Sequence, residues 1–301
     1  MSPNTNEASD YQSREADELP LVTIGLPLFN EERFLEETLQ SLLAQDYPRI
    51  EILIADNAST DKTLNLCERL AEGDSRIQIL RSKKNLGATA NFEKLVVPAR
   101  GKYFMWAAGH DLWSPNFVRD CVDLLERDEG TCLAFGCSRW IDADGSPMRR
   151  ASGWTDTRGL APVARFVTVF WGNMHPITGL IRIDPLRAAL PLKNIAGGDL
   201  IFLAELALRG DFAHAPNATW SRREFRKEAQ YKEKLHRYAS PEVAVSTSRI
   251  QRMFPLMNLP LALVSVVLRS TIPRTDKILL LAVLLASFPL RYIIGRRKGK
   301  D

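Results

Sequence analysis

Short apolar runs alternate with helical stripes along the first hundred residues. Leu21 to Leu26 forms one run, and Ile50 to Ala55 forms a second that delivers Asp56 at its end. Continuous runs of this length suit strands buried on both faces. Between them Phe34, Leu35, Thr38, Leu39, Leu42 and Leu43 recur at helical spacing, with Glu31 and Glu32 in a first turn where carboxylates favour the helix dipole. A right-handed crossover makes the two strands parallel. Pro27 to Asn30 and Asp56 to Asp61 then both lie at carboxyl ends of strands, the edge where open α/β sheets bind ligands. The alternation continues with a helix over Asp61 to Glu72, a strand over Ile77 to Leu80, a helix from Gly87 to Val97 ended by Pro98, and a strand over Tyr103 to Ala107. Further on, the pattern predicts a helix over Phe117 to Leu125, a strand over Thr131 to Ile141, an apolar helix within Trp154 to Trp171, and a helix opening at Asp199 and running to Arg209.

Two segments in this frame carry a resemblance. Pro-Leu-Phe-Asn-Glu at 27 to 31 and Asp-Asn-Ala-Ser-Thr-Asp at 56 to 61 resemble the opening of the family 2 nucleotide-sugar glycosyltransferases, in order and at that family's spacing. The resemblance implies a GT-A-like, Rossmann-like α/β fold with a mostly parallel sheet flanked by helices. It also implies that Phe29 lies against the donor base and Asp56 bonds the base or ribose, with Pro27, Asn30 and Glu31 in the same site. Asn85 and Gly87 match the family's Asn-x-Gly beside the donor. Capping and turn formation compete as explanations for Asn30, Asp56 and Asn85.

The segment Trp106-Ala107-Ala108-Gly109-His110-Asp111-Leu112-Trp113 departs from the family pattern. Where the family usually places Asp-x-Asp for Mg²⁺ or Mn²⁺, Ala108 and His110 stand at the acidic positions and Asp111 follows. The resemblance implies a divalent cation, Mn or Mg, at His110 and Asp111. Imidazole suits Mn²⁺ better than Mg²⁺. A degraded metal site and a plain loop histidine are the other two readings. Asp142-Ala143-Asp144-Gly145 reads as a hairpin turn and not as a metal site. His175 reads as structural, within a segment to Arg182 that resembles the family's acceptor-side strand. At Gly198-Asp199 the family often has Glu-Asp, so the resemblance makes Asp199 the base that deprotonates the acceptor; an N-cap role competes. Arg222, Arg223, Arg226 and Lys227 form a basic cluster suited to a diphosphate or to solvent. The Gln-x-x-Arg-Trp signature of processive synthases is missing, which favours a single addition.

Composition narrows the setting. The chain has 301 residues, 45% hydrophobic and 25% charged, enough for a full core. Cys67, Cys121, Cys132 and Cys137 show no paired CxxC spacing, so reduced thiols are expected and a zinc site is not. Residues 1 to 19 are polar, are expected to be disordered, and lack the apolar run of a signal peptide. A cytoplasmic location follows, with the inner face of the cell membrane as its variant. From Thr219 to Asp301 there are 17 Lys and Arg against 6 Asp and Glu, so the C-terminal part is the basic one. No nucleic-acid motif accompanies those charges, and long apolar runs interrupt them, which suits an anionic membrane surface and not nucleic acid. Met253 to Leu268 and Ile278 to Leu290 are each shorter than the roughly 20 residues that span a bilayer. Two readings stay open for them: peripheral contact with a membrane, or packing as a helical pair on the domain.

The sequence therefore predicts a tail over 1–19, a GT-A-like domain over 20–225 with a donor half (20–115) and an acceptor half (116–225), and a basic, apolar helical region over 226–301. The expected activity is transfer of one sugar, with inversion, from a UDP- or dTDP-sugar to a hydroxyl of a glycan or lipid-linked acceptor, as in cell-envelope polysaccharide synthesis. The alternative is a nucleotide-sugar-binding protein without turnover.

Overall fold

The computed structural model describes residues 18–150, 156–172, 175–195, 197–225 and 257–297. The first half alternates β1 (Val22–Leu28), α1 (Leu35–Leu43), β2 (Ile50–Asp56), α2 (Thr63–Glu72), β3 (Ile77–Arg81), α3 (Ala88–Lys94) and β4 (Tyr103–Trp106). There follow β5 (Leu112–Trp113), α4 (Phe117–Arg127), β6 (Thr131–Ile141), α5 (Pro162–Trp171), a 3-10 turn (His175–Thr178), β7 (Leu180–Arg182), α6 (Ile183–Ala188), α7 (Gly198–Ala207) and β8 (Asp211–Arg223). Two more helices, α8 (Asn258–Arg269) and α9 (Arg274–Arg297), close the described chain.

Among the described residues the sheet has eight strands in the order β3-β2-β1-β4-β7-β6-β8-β5. The strands of the first half are parallel: β1 pairs with β2 and β4, and β2 with β3. The later half is mixed, because β7 runs antiparallel to both β4 and β6, and β5 antiparallel to β8. Alternation along the strands splits the interior in two. Ile50, Ile52 and Ile54 join Leu35, Leu39 and Leu42 of α1 on one face, whereas Leu53 and Ala55 join Phe202, Leu203 and Leu206 of α7 on the other. Both faces being covered explains why β2 reads as an unbroken apolar run; each such side chain contributes ~1.5–3 kcal/mol by leaving water.

Several boundaries differ from the sequence pattern. The second helix starts at Thr63 because Asp61 is spent in the turn, where Oδ1 accepts the Thr63 N–H at 2.9 Å. The stretch 175–182 is a 3-10 turn before a three-residue strand. α5 starts at Pro162, with Trp154 outside the described residues. At Asp142–Gly145 the hairpin reading holds: Asp142 Oδ1 accepts the N–H of Asp144 at 2.9 Å and of Ser146 at 2.8 Å, and Gly145 has φ 82°.

The C-terminal pair packs on the domain. Leu263, Val266 and Val267 of α8 and Leu280 and Leu284 of α9 share a core with Phe166 and Phe170 of α5 and Leu200, Ile201 and Ala204 of α7. Among the described residues no helix is long and apolar enough to cross a membrane.

Candidate functional site

The loops after β1 and β2 are laced to each other at the carboxyl edge of the sheet. The Asn30 N–H donates to Ser59 Oγ at 3.0 Å, and Thr60 N–H donates to Asn30 Oδ1 at 2.8 Å. Glu31 N–H reaches Thr63 Oγ1 at 2.8 Å, Glu32 N–H reaches Asp61 Oδ2 at 3.2 Å, and Lys62 N–H reaches Glu32 Oε2 at 2.8 Å. Asn30 (φ 54°) and Ala58 (φ 61°) hold the left-handed conformation these two turns require. Asn tolerates that region and Ala does so at a cost. Burial works to raise the Asp61 carboxyl, yet hydrogen bonds from the Thr63 hydroxyl and the Thr63 and Glu32 backbones outweigh it and hold the pKa below the usual value.

Pro27, Phe29, Asn30, Glu31, Asp56, Asn85 and Gly87 all border this edge. Pro27 lies in register with Ala55, one place before Asp56. Asp56 is buried, and both of its carboxylate oxygens accept the Ser59 N–H at 3.3 Å, so it closes its own turn. Phe29 is 42% exposed, an open aromatic face beside it. Asn85 and Gly87 are joined to the edge by Asn57, whose Nδ2 donates to Asn85 Oδ1 at 2.9 Å and whose Oδ1 accepts the Leu86 N–H at 2.8 Å. Asn91, one helical turn beyond Gly87, donates to the carbonyls of Leu28 and Ala55, while its buried Oδ1 has no partner among the described residues. The sequence reading missed Asn57 and Asn91; the signal for Asn57 was its place inside the second motif.

His110 and Asp111 have different surroundings. His110 Nδ1 lies 3.0 Å from Glu31 Oε2, and its ring sits 5.1 Å from that of Phe225. If Nδ1 carries the proton toward Glu31, Nε2 keeps its lone pair, the arrangement metal-binding histidines favour. That Nε2 lies 3.9 Å from Asp111 Oδ1, too far for a hydrogen bond. Asp111 is buried, with Oδ2 accepting from Trp220 Nε1 and Oδ1 from the Arg223 N–H, both at 2.9 Å. Burial raises its pKa, against lowering by His110, by those two hydrogen bonds and by Arg222. Among the described residues no group of three or more His, Cys, Asp or Glu is placed to hold a metal ion. Mg²⁺ sites commonly take only one or two protein carboxylates and complete the shell with water and substrate phosphate.

The predicted basic cluster divides. Arg223 is a buried clamp, donating from Nε to the His110 carbonyl at 3.0 Å and from Nη2 to Glu37 Oε2 at 2.6 Å, with its guanidinium 4.4 Å from the Phe34 ring. Arg222 instead lies over the Trp140 ring at 4.4 Å, a cation held by an aromatic face. Arg226 and Lys227 fall outside the described residues.

Asp199 stands in the first turn of α7, after Gly197 in the left-handed conformation at φ 86°. Its side chain is exposed and, among the described residues, has no hydrogen bond or ion pair. Protein crowds it all the same: desolvation raises its pKa, and Arg222 pulls the other way. Gly198 has a steric reason to lack the family's Glu, since a Cβ there would meet the Lys193 carbonyl oxygen at 2.3 Å.

A model of the family described as Glycosyl transferase family 2 matches residues 23–177. An uncharacterized glycosyltransferase of Haemophilus influenzae is 30% identical over 207 residues, covering 66% of this chain and 64% of that protein. The putative teichuronic acid biosynthesis glycosyltransferase TuaG of Bacillus subtilis is 26% identical over 43% of this chain and 51% of its own. This chain therefore aligns with only part of those relatives. In structure it is similar to S. aureus TarS 1-349 in complex with UDP-GlcNAc, with TM-score 0.65 and 16% identity over 88% of this chain and 71% of that one. The mannosyltransferase PcManGT of Pyrobaculum calidifontis, in complex with GDP-Man and Mn²⁺, matches with TM-score 0.55 and 16% identity over 93% of this chain and 75% of that one.

Proposed function

The chain belongs to glycosyl transferase family 2, and from that premise we propose that it moves a single hexose from a nucleoside-diphosphate sugar, UDP- or dTDP-linked, to a hydroxyl acceptor with inversion. The observation that carries this reading is Asp199: an exposed carboxylate with a raised pKa, without a partner among the described residues, within the field of Arg222. A group so placed is suited to general-base work. In the proposed step the acceptor hydroxyl gives its proton to an Asp199 oxygen as its own oxygen bonds to the anomeric carbon. The bond from that carbon to the phosphate oxygen breaks, and the nucleoside diphosphate leaves with the electron pair. One displacement inverts the anomeric centre.

Donor binding is assigned to residues 20–115: Phe29 against the base, Asp56 toward base or ribose, and Pro27, Asn30, Glu31, Asn85 and Gly87 shaping the edge. The acceptor is assigned to 116–225. A divalent cation, Mn²⁺ or Mg²⁺, would be held by His110 Nε2 and Asp111 together with the diphosphate, and would neutralise charge on the leaving group. The teichuronic acid role in the name of TuaG and the UDP-GlcNAc bound to TarS support a cell-envelope glycan or lipid-linked acceptor and a UDP donor. Four free cysteines, three of them buried, support a reducing, cytoplasmic setting. The second reading, a nucleotide-sugar binder without turnover, is favoured by the inward-facing Asp111. An assay for nucleoside diphosphate released from UDP-, dTDP- and GDP-sugars, with Mn²⁺ or Mg²⁺ and a glycan or lipid-linked acceptor, separates the two. Release that needs acceptor supports transfer; binding without release supports the second.

A further inference from the structure

The C-terminal helices are apolar on two opposite sides, and among the described residues the inner side alone is packed. Leu263, Val266 and Val267 of α8 and Leu280 and Leu284 of α9 face the domain. Largely across each helix from these stand Met257, just before α8, with Leu261 and Leu268 on it, and Ile278, Leu279 and Leu285 on α9, which are 48%, 52%, 55%, 69%, 51% and 80% exposed. A helix apolar all round is ordinarily covered on every side. Water is a poor neighbour for six such side chains on one appendage.

Charge identifies what covers them. From Met257 to Asp301 the chain has eight Lys and Arg against two Asp. Arg269, at the end of α8, and Arg274, at the start of α9, are both exposed. A second copy seated on the same face in a two-fold pair would bring like charges together. A layer of anionic headgroups over acyl chains suits both features, and among the described residues no helix is long and apolar enough to cross it. We propose that the outer face of α8 and α9 lies in the surface of an anionic lipid bilayer, with the apolar residues at acyl depth and Arg269 and Arg274 at the headgroups. This goes beyond the transfer reaction and does not depend on it.

Sedimentation of the full chain with vesicles tests the proposal. Binding to phosphatidylglycerol/phosphatidylcholine vesicles is expected to be roughly tenfold or more tighter than to phosphatidylcholine alone, and to weaken with salt. The triple variant Leu261→Glu, Ile278→Glu, Leu285→Glu should lose roughly tenfold or more in partitioning at unchanged Tm. Should that variant unfold, the double variant Arg269→Glu, Arg274→Glu, altered only at exposed charges, should still abolish the preference for anionic vesicles. Equal or absent binding to the two vesicle types, or full binding by the folded variants, overturns the proposal. A dimer in light scattering that the triple variant dissolves overturns it in favour of a second copy.

Discussion

The two sides of the candidate site are built on opposite principles. On the proposed donor side the loops after β1, β2 and β3 are tied together: Asn30 to Ser59 and Thr60, Glu32 to Lys62, Asn57 to Asn85 and Leu86. Even Asp56 and Asp111 spend their oxygens on protein donors. On the proposed acceptor side Asp199 has no hydrogen bond or ion pair among the described residues and is exposed. Binding a rigid nucleotide rewards a surface that is already in place, because ordering loops at the moment of binding costs affinity. Taking a proton rewards a group whose lone pairs are still available.

The largest expected break in this contrast comes from Asp199→Asn. The variant keeps shape and helix start but cannot accept the proton, so turnover should fall on the order of 10² or more, with nucleotide affinity in calorimetry near normal. Turnover within a factor of about three of wild type would reduce Asp199 to a helix-start residue and move the search to Glu205 or Asp211. Asp56→Ala comes next: loss of a hydrogen bond to a charged group should weaken nucleoside diphosphate binding by ~1.5–3 kcal/mol. Unchanged affinity in a folded variant would leave Asp56 as a turn closure alone. A smaller change is expected from His110→Asp, which should move the metal preference of activity from Mn²⁺ toward Mg²⁺. Full activity of the wild type in excess chelator would rule the cation out.

The smallest effect lies in stability against pH. Because the folded pKa of Asp199 is raised, the folded state holds its proton more tightly than the unfolded chain does. Stability from this group is therefore full below the unfolded value near 3.8 and declines as pH rises through the folded pKa. Asp199→Asn removes that decline, so its Tm should match wild type in acid and equal or exceed it at neutral pH. A Tm deficit confined to neutral pH would mean that the carboxylate is stabilised by a partner.

Legibility followed the same division. The donor edge could be read from the chain because β1 and β2 are buried on both faces and their loops bond to each other across about thirty residues, with the partners inside two compact motifs. The later half resisted. β8 mixes apolar residues with Pro216, Asn217 and two arginines and shifts register against β6, so neither a period of two nor an apolar run marks it. Asp111 turned inward for the same reason: its partners Trp220 and Arg223 stand 109 and 112 residues away, on the strand that local pattern did not reveal. Arg222 and Arg223, neighbours in sequence, point to opposite fates because adjacent residues on a strand face opposite sides. The role of Arg223 as a clamp was visible only after folding.

Ala58 carries a consequence for anyone who would engineer this protein. Its backbone is left-handed at φ 61°, a conformation that costs an L-residue with a side chain roughly 1–2 kcal/mol. Glycine at this position would be the obvious thermostabilising choice, since it removes that cost. It would also restore to the Asp56–Asp61 turn the freedom that the alanine methyl denies, in the loop proposed to meet the nucleotide. A screen for stability alone would favour the glycine without registering what the looser turn does to the neighbouring loop.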